Sequence, residues 1–381
     1  MKYMATKQIA ATSAGLSLQI HLQVSDLQGH SRQGAWTSWI VYNTAGNYLA
    51  AGAIVKRQIK GFIEQLASRL GPHRLGSGEP RLWVLMYHRI LPAHDPRHAL
   101  EEPGMIVTPD TFRQQLRTLK ELFEILPLAE WIARRDAGQP LPARACAITF
   151  DDGWLDNYEH AFPILQQEGV PATLFAVADM IGTNRQFWPN RLARVLATAT
   201  ADTRLPWLQP FGYSGNGTPD RESVAHLIHQ CKQMRDDELH TLLDAAESDL
   251  GLLPENTPAL VSWQQLREMQ QAGVFDVGSH TRNHFRLLTS LPEAIAADEI
   301  IASKTRLEAE LGRPVTSFCY PNGDVSPVAQ ALVQQQYRAA VTTRRGINSA
   351  ATPVHGLLRI GVHEDVSNTR ARFEARLSGW L

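Results

Sequence analysis

The stretch Ile148-Thr149-Phe150-Asp151-Asp152-Gly153 limits what this chain can fold into more than any other. An apolar run over 145–150 has the length and composition of a buried strand, and it stops at two adjacent carboxylates and a glycine. Successive side chains of a strand face opposite ways, so two neighbouring acids diverge while the strand continues. At a strand end both can turn toward one site, and the C-terminal mouth of a parallel barrel is where α/β barrels collect their chemistry. Taken alone, Asp-Asp-Gly reads more readily as an ordinary turn.

A second stretch adds weight to the first. The apolar run 274–277 leads into Gly278-Ser279-His280-Thr281-Arg282-Asn283-His284, which carries two imidazoles four positions apart. That spacing lets both rings reach one metal, but Thr281 stands where zincins carry their glutamate, so this is no zincin. Two histidines and an aspartate leave coordination positions open for water and substrate, the pattern of a catalytic metal. A histidine pair by itself is as often a satisfied surface or core feature.

Thr149-Phe150-Asp151-Asp152-Gly153, His280-Thr281-Arg282-Asn283-His284 and Phe318-Cys319-Tyr320-Pro321-Asn322-Gly323, in that order, resemble the motifs of polysaccharide deacetylases, carbohydrate esterase family 4 with its NodB homology domain. The resemblance runs from about residue 82 to the C-terminus. It implies a distorted β/α barrel and metal-dependent removal of N-acetyl groups from sugars. By position it implies that Asp152, His280 and His284 hold a divalent metal, zinc foremost, with cobalt and nickel open. Asp151 becomes the general base, and the backbone N–H of Asn322, at the position of the family's tyrosine, an oxyanion donor. Circularly permuted members keep a Tyr-His at the end of the first strand, and Tyr87-His88 matches it, which makes His88 the general acid. One departure matters. Many members carry, where Cys319 stands, an arginine that orients the base; Arg359 or Arg89 could replace it, although Arg359 suits a structural ion pair equally well.

The 381 residues, 44% of them hydrophobic, suffice for one large domain with additions. A net charge of -1 gives no basic stripe, so nucleic acid is not expected as a partner. Cys146, Cys231 and Cys319 are odd in number and include no Cys-x-x-Cys pair, against a disulfide framework or a thiolate zinc site. Residues 1–46 read as a poorly ordered extension, and their apolar run 9–20 is too diluted for a signal peptide. The uncharged interval 33–55 is interrupted by Asn43, Thr44, Gly46 and Asn47, which argues against a membrane span. Residues 47–80 read as an amphipathic helix, 48–70, and a Gly/Pro linker. Its apolar positions Val55, Ile59, Phe62, Ile63, Leu66 and Leu70 lie beside Lys56, Arg57 and Lys60, so it could pack on its own domain or lie on an anionic membrane surface. The expected location is therefore the cytoplasm, with peripheral association with its membrane left open.

Within 81–381, strands are expected at 82–87, 145–150, 172–177, 274–277, 316–320, 338–343 and 357–362, with helices between them. Residues 182–260, where the pattern changes, read as an insertion; Phe187, Trp188, Trp207 and Tyr213 there are packing aromatics or sugar-stacking platforms. The fold expected is an α/β, distorted, incomplete (β/α)7 TIM-like barrel with an N-terminal extension and a helical and loop insertion. The expected activity is de-N-acetylation of an amino sugar in a polysaccharide or lipid-linked glycan. A deformylase or other amidohydrolase on the same scaffold, and a non-catalytic glycan-binding protein, are the alternatives.

Overall fold

The computed structural model describes residues 7–13, 16–22, 40–43, 53–76, 78–200, 203–213 and 220–380. They fall into two units, Met1–Ile63 and Glu64–Leu381. In the first, Lys7–Ser13, Leu16–Leu22 and Ile40–Asn43 pair as an antiparallel sheet, so parts of the stretch 1–46 carry regular backbone pairing. The rest of that stretch, and most of the uncharged interval 33–55, lie outside the described residues. The amphipathic segment forms the helix Ala53–Leu70, in which Phe62 and Leu70 are exposed. Among the described residues no helix is long and apolar enough to cross a membrane.

The second unit is built on seven parallel strands: β1 (Arg81–Tyr87), β2 (Arg144–Phe150), β3 (Ala172–Ala176), β4 (Phe275–Ser279), β5 (Ser317–Cys319), β6 (Ala339–Arg345) and β7 (Leu357–Gly361). Each pairs with the next, and β7 pairs with β1, so the sheet closes into the expected (β/α)7 barrel, one strand short of the eight of a TIM barrel. All seven expected strands are present. β1 and β2 match residue for residue from Arg81↔Arg144 to Tyr87↔Phe150, so His88 and Asp151 leave the rim level with each other.

Strand parity fixes what points where. Trp83, Leu85 and Tyr87 of β1 pack outward with Phe112, Leu116 and Leu119 of the helix Pro109–Leu122. Leu82 and Val84 share the other core with Ala145, Ala147, Phe175, Cys319 and Val341, contributed by strands around the ring. Continuing the β2 series 145, 147, 149 places Asp151 over the bore. The Trp83 indole N–H donates to the Leu377 carbonyl at 2.7 Å and ties the C-terminal helix Arg370–Leu377 to the barrel.

Gly278 on β4 is required by crowding: a Cβ there would lie 2.5 Å from the Phe175 ring and 2.7 Å from Ser317 Oγ. The insertion, between β3 and β4, carries the helices Trp188–Thr198, Arg221–Cys231 and Asp236–Asp249 around a core of its own that includes Leu192, Leu208, Leu239 and Leu243. Trp188 and Tyr213 are buried in that core and Trp207 packs against it, so these three are packing aromatics.

Two expectations follow from this architecture. Gly278→Ala should lower stability by about 1–3 kcal/mol through overpacking, read as a reduced urea midpoint. In the insertion, Arg191 Nη1 lies 3.0 Å from His240 Nδ1; arginine only donates, so that nitrogen accepts and the ring is neutral. Burial, followed by the charges of Arg191 and Arg185, pushes His240 from its ordinary 6.5 down to about 4. A depressed histidine stabilises the fold fully above its unfolded value and loses that contribution as pH falls from 6.5 through about 4. The drop in urea midpoint over that interval should be smaller in His240→Gln than in the parent.

Candidate active site

Asp151 and Asp152 end β2, both nearly fully buried, and each is compensated by a different set of groups. Asp151 receives a bidentate pair from Arg359, Nη1 to Oδ1 at 2.7 Å and Nη2 to Oδ2 at 2.8 Å. Burial alone would push this carboxyl up, but the Arg359 guanidinium outweighs it and holds the group below its ordinary value. Arg359, itself fully buried on β7, is fixed by donation from Nε to the Thr342 carbonyl at 2.9 Å and from Nη1 to Thr149 Oγ1 at 3.2 Å. Its Nη2 lies 3.1 Å from Cys319 Sγ, so the small cysteine leaves room for the guanidinium to reach Asp151 from across the bore.

Asp152 adopts a left-handed backbone, φ 75°, which turns its carboxylate to the histidine loop after β4. Its Oδ1 is 3.4 Å from Nε2 of both His280 and His284, and its Oδ2 accepts a hydrogen bond from the Trp154 indole at 2.8 Å. The His280 Nδ1–H donates to the Cys319 carbonyl at 2.8 Å, which turns Nε2 toward Asp152 as the atom that would coordinate once its proton is displaced. Burial opposes a charge on His280, but the Asp152 and Asp151 carboxylates outweigh it and raise that ring above its ordinary value. Burial drives His284 down to about 3.

One carboxylate and two imidazoles, with ligand atoms all within 4.8 Å of one another, fit a divalent cation. Donors about 2.0–2.1 Å from a tetrahedral metal stand roughly 3.3 Å apart, close to the 3.4 Å found here and too long for good hydrogen bonds. A second possible ligand set, Asp151, His280 and Cys319, fits poorly, because both Asp151 oxygens face the permanent Arg359 cation. Burial also keeps the Cys319 thiol protonated.

His88, leaving β1, places Nε2 3.7 Å from Asp151 Oδ2, and the loop after it is fixed by Asn157 Nδ2 donating to the His88 carbonyl at 2.8 Å. Asn322 lies on the loop after β5 with φ 55°, and its N–H meets no acceptor among the described residues. The next residue must be glycine: Gly323 has φ 78°, and a Cβ would lie 2.0 Å from Thr343 Oγ1. Arg89, the other proposed substitute for the missing arginine, does not touch Asp151; it donates to Asp156 and Glu101.

Asp151, Asp152, His280, His284, His88 and Arg359 thus come together around one strand end. Sequence reasoning missed Trp154 and Glu299. The Glu299 carboxylate accepts from the backbone N–H groups of Arg282 and Asn283 at 3.0 and 2.8 Å and holds the histidine loop from beneath. Its signal was an acid in the apolar stripe formed by Ala296, Ile300 and Leu307. Phe187, one of the possible sugar platforms, is buried against the His284 and Trp154 rings, each at 5.0 Å.

The family model for polysaccharide deacetylases matches residues 138–340, more than half of the chain. The chain is 30% identical over 128 residues to a poly-β-1,6-N-acetyl-D-glucosamine N-deacetylase of Staphylococcus epidermidis, covering 33% of this chain and 39% of that protein. The chain spans well under half the length of the curated relatives it matches. In fold it is similar to the Streptococcus pyogenes deacetylase PplD solved with acetate, with TM-score 0.51 and 21% identity over 76% of this chain and 96% of that one. It is also similar to IcaB from Ammonifex degensii, with TM-score 0.50 and 22% identity over 78% and 97%. With the ordered motifs, the seven-stranded barrel and the match over 138–340, this chain belongs to the polysaccharide deacetylase family.

Proposed function

We propose that this protein is a metal-dependent de-N-acetylase acting on the acetamide of an amino sugar within a glycan, with an N-acetylglucosamine polymer as the first substrate to test. The observation that carries the reading is the division of the aspartate pair: Asp152 faces two imidazoles, while Asp151 faces Arg359 and His88. The relative from Staphylococcus epidermidis is named for action on poly-β-1,6-N-acetyl-D-glucosamine, which motivates the choice of polymer.

Asp152, His280 and His284 would hold the cation, zinc before cobalt or nickel. When bound, such an ion supplies Lewis acidity toward the acetamide carbonyl and toward water. Asp151, ionised at neutral pH because Arg359 stabilises its charge, accepts the proton of the attacking water. Arg359 fixes the carboxylate plane and takes no proton. His88, on the Asp151 side of the site, delivers a proton to the departing amine nitrogen. The N–H of Asn322, without an acceptor among the described residues, is the backbone donor assigned to the developing oxyanion. A protein that only bound glycan would have no use for a buried base with its own arginine, so the enzyme reading is favoured over the binding one.

Chelator-stripped protein should release no acetate from N-acetylglucosamine oligomers, and added Zn²⁺, Co²⁺ or Ni²⁺ should restore release in the parent but not in His284→Ala. Metal bound stoichiometrically without acetate release would count against the acetyl reading and call for N-formyl sugars. Asp151→Asn should keep its metal and lose about 10²–10⁴ in kcat. Unchanged turnover in that variant would remove Asp151 as the base. Arg359→Lys, which keeps the charge but loses the bidentate geometry, should lower kcat with little change in bound metal.

A further inference from the structure

Trp154 has no part in the reaction as derived above, yet it makes the shortest contact to Asp152. Its buried indole donates Nε1–H to Oδ2 at 2.8 Å, while Oδ1 of the same carboxylate faces both imidazoles. The indole is itself held. The Arg89 guanidinium lies over its face, Cζ 4.1 Å from the ring centroid, and Phe187 packs against it at 5.0 Å. The backbone of Trp154 bridges to Leu260. Arg89 is fixed in turn by Nε to Asp156 Oδ2 at 2.9 Å and Nη1 to Glu101 Oε2 at 2.5 Å, and Asp156 Oδ1 also accepts the Ile90 N–H at 2.8 Å.

We infer that Trp154, clamped under Arg89, is a positioning residue that selects which oxygen of Asp152 faces the cation. This rests on the assignment of Asp152, His280 and His284 as the metal ligands. A carboxylate can rotate about its last bond and offer either oxygen; a donor fixed on Oδ2 leaves Oδ1 as the coordinating atom. The donor's neutrality matters as much as its position. A guanidinium on Oδ2, like the one on Asp151, would offset the negative charge that attracts the cation, whereas an indole N–H orients the group and leaves its charge in place. Arg89 is kept from making that contact by two carboxylates of its own, and it offers Asp152 only the indole it covers, a cation–π contact that also draws electron density from the ring and strengthens the N–H as a donor. The two buried arginines at this strand end therefore act differently, Arg359 directly on the base and Arg89 through Trp154 on the ligand.

Trp154→Phe keeps an aromatic ring between Arg89 and Phe187 and removes the N–H together with the volume of the indole's second ring. Its Zn²⁺ dissociation constant, measured by chelator competition on apo-protein, should rise about 10–100-fold. The zinc concentration needed for half-maximal acetate release should rise in parallel. A dissociation constant within twofold of the parent overturns the inference. A parent that binds no Zn²⁺ overturns instead the metal assignment beneath it, so the two failures are distinguishable. Should the variant not fold, the parent labelled with ¹⁵N-tryptophan answers the same question: an indole N–H signal should move on addition of Zn²⁺, and nine unmoved tryptophan signals overturn the inference.

Discussion

Two carboxylates on adjacent residues, both buried, repel each other and have lost the water that would stabilise their charge. Desolvating each costs several kcal/mol, and each raises the pKa of the other. Asp151 and Asp152 are nevertheless both held below the ordinary range of an aspartate, so local compensation outweighs both effects. The compensation differs for the two, and that difference separates their chemistry. A permanent cation on Asp151 leaves no place for a metal there. Imidazoles and a neutral indole on Asp152 leave its charge available to one.

The barrel makes this arrangement possible. Arg359 starts on β7 and Asp151 ends β2, with β1 between them, so the guanidinium must reach through the bore instead of along the rim. It can do so because the inward residues beside it, Thr149 and Cys319, are small and touch the arginine without blocking it, while Thr342 offers its backbone carbonyl. An arginine at position 319 would occupy the same volume. The level pairing of Tyr87 with Phe150 then sets His88 beside Asp151, so the two residues proposed as proton donor and acceptor are neighbours because β1 and β2 are in register.

The strands, their order and the residues of the aspartate and histidine motifs were legible because their signals are local. An apolar run ending in a polar pair marks a strand and its mouth, and two histidines four apart mark a loop able to present both. Arg359 was legible only as a candidate, since its value depends on Cys319 being small and on β7 closing beside β1, which no local pattern states. Trp154 was not legible, and Glu299 only as an acid within an apolar stripe. Their roles depend on backbone reversals that place an indole under a carboxylate and a helix acid under two amide groups. Those reversals are a physical signature of the site: Asp152, Thr281, His284 and Asn322 are the non-glycine residues with positive φ among those described, and all lie in the three motif loops. Each such conformation costs of order 1–3 kcal/mol and persists only where its surroundings enforce it.

The histidine loop, which holds two of those four residues, shows what does the enforcing. On one side Glu299 accepts the amide groups of Arg282 and Asn283 and the Asn283 side chain, and Arg282 donates to Asp179 and Asp298. On the other, two residues beyond His284, Arg286 is buried in the insertion: its N–H and Nε donate to Asp236, and its Nη atoms to the Lys232 and Met234 carbonyls. Burial raises Glu299 and Asp236 from their ordinary values, so both acids are kept in place at a cost in solvation that only their donors offset. The insertion enters the chain between β3 and β4, upstream of the strand that leads into the loop it grips. It has its own core, which gives Asp236 a fixed position from which to hold Arg286. A loop strained at Thr281 and His284 and held at one end only could relax by releasing His284. Held at both ends, it keeps the two imidazoles facing one oxygen of Asp152.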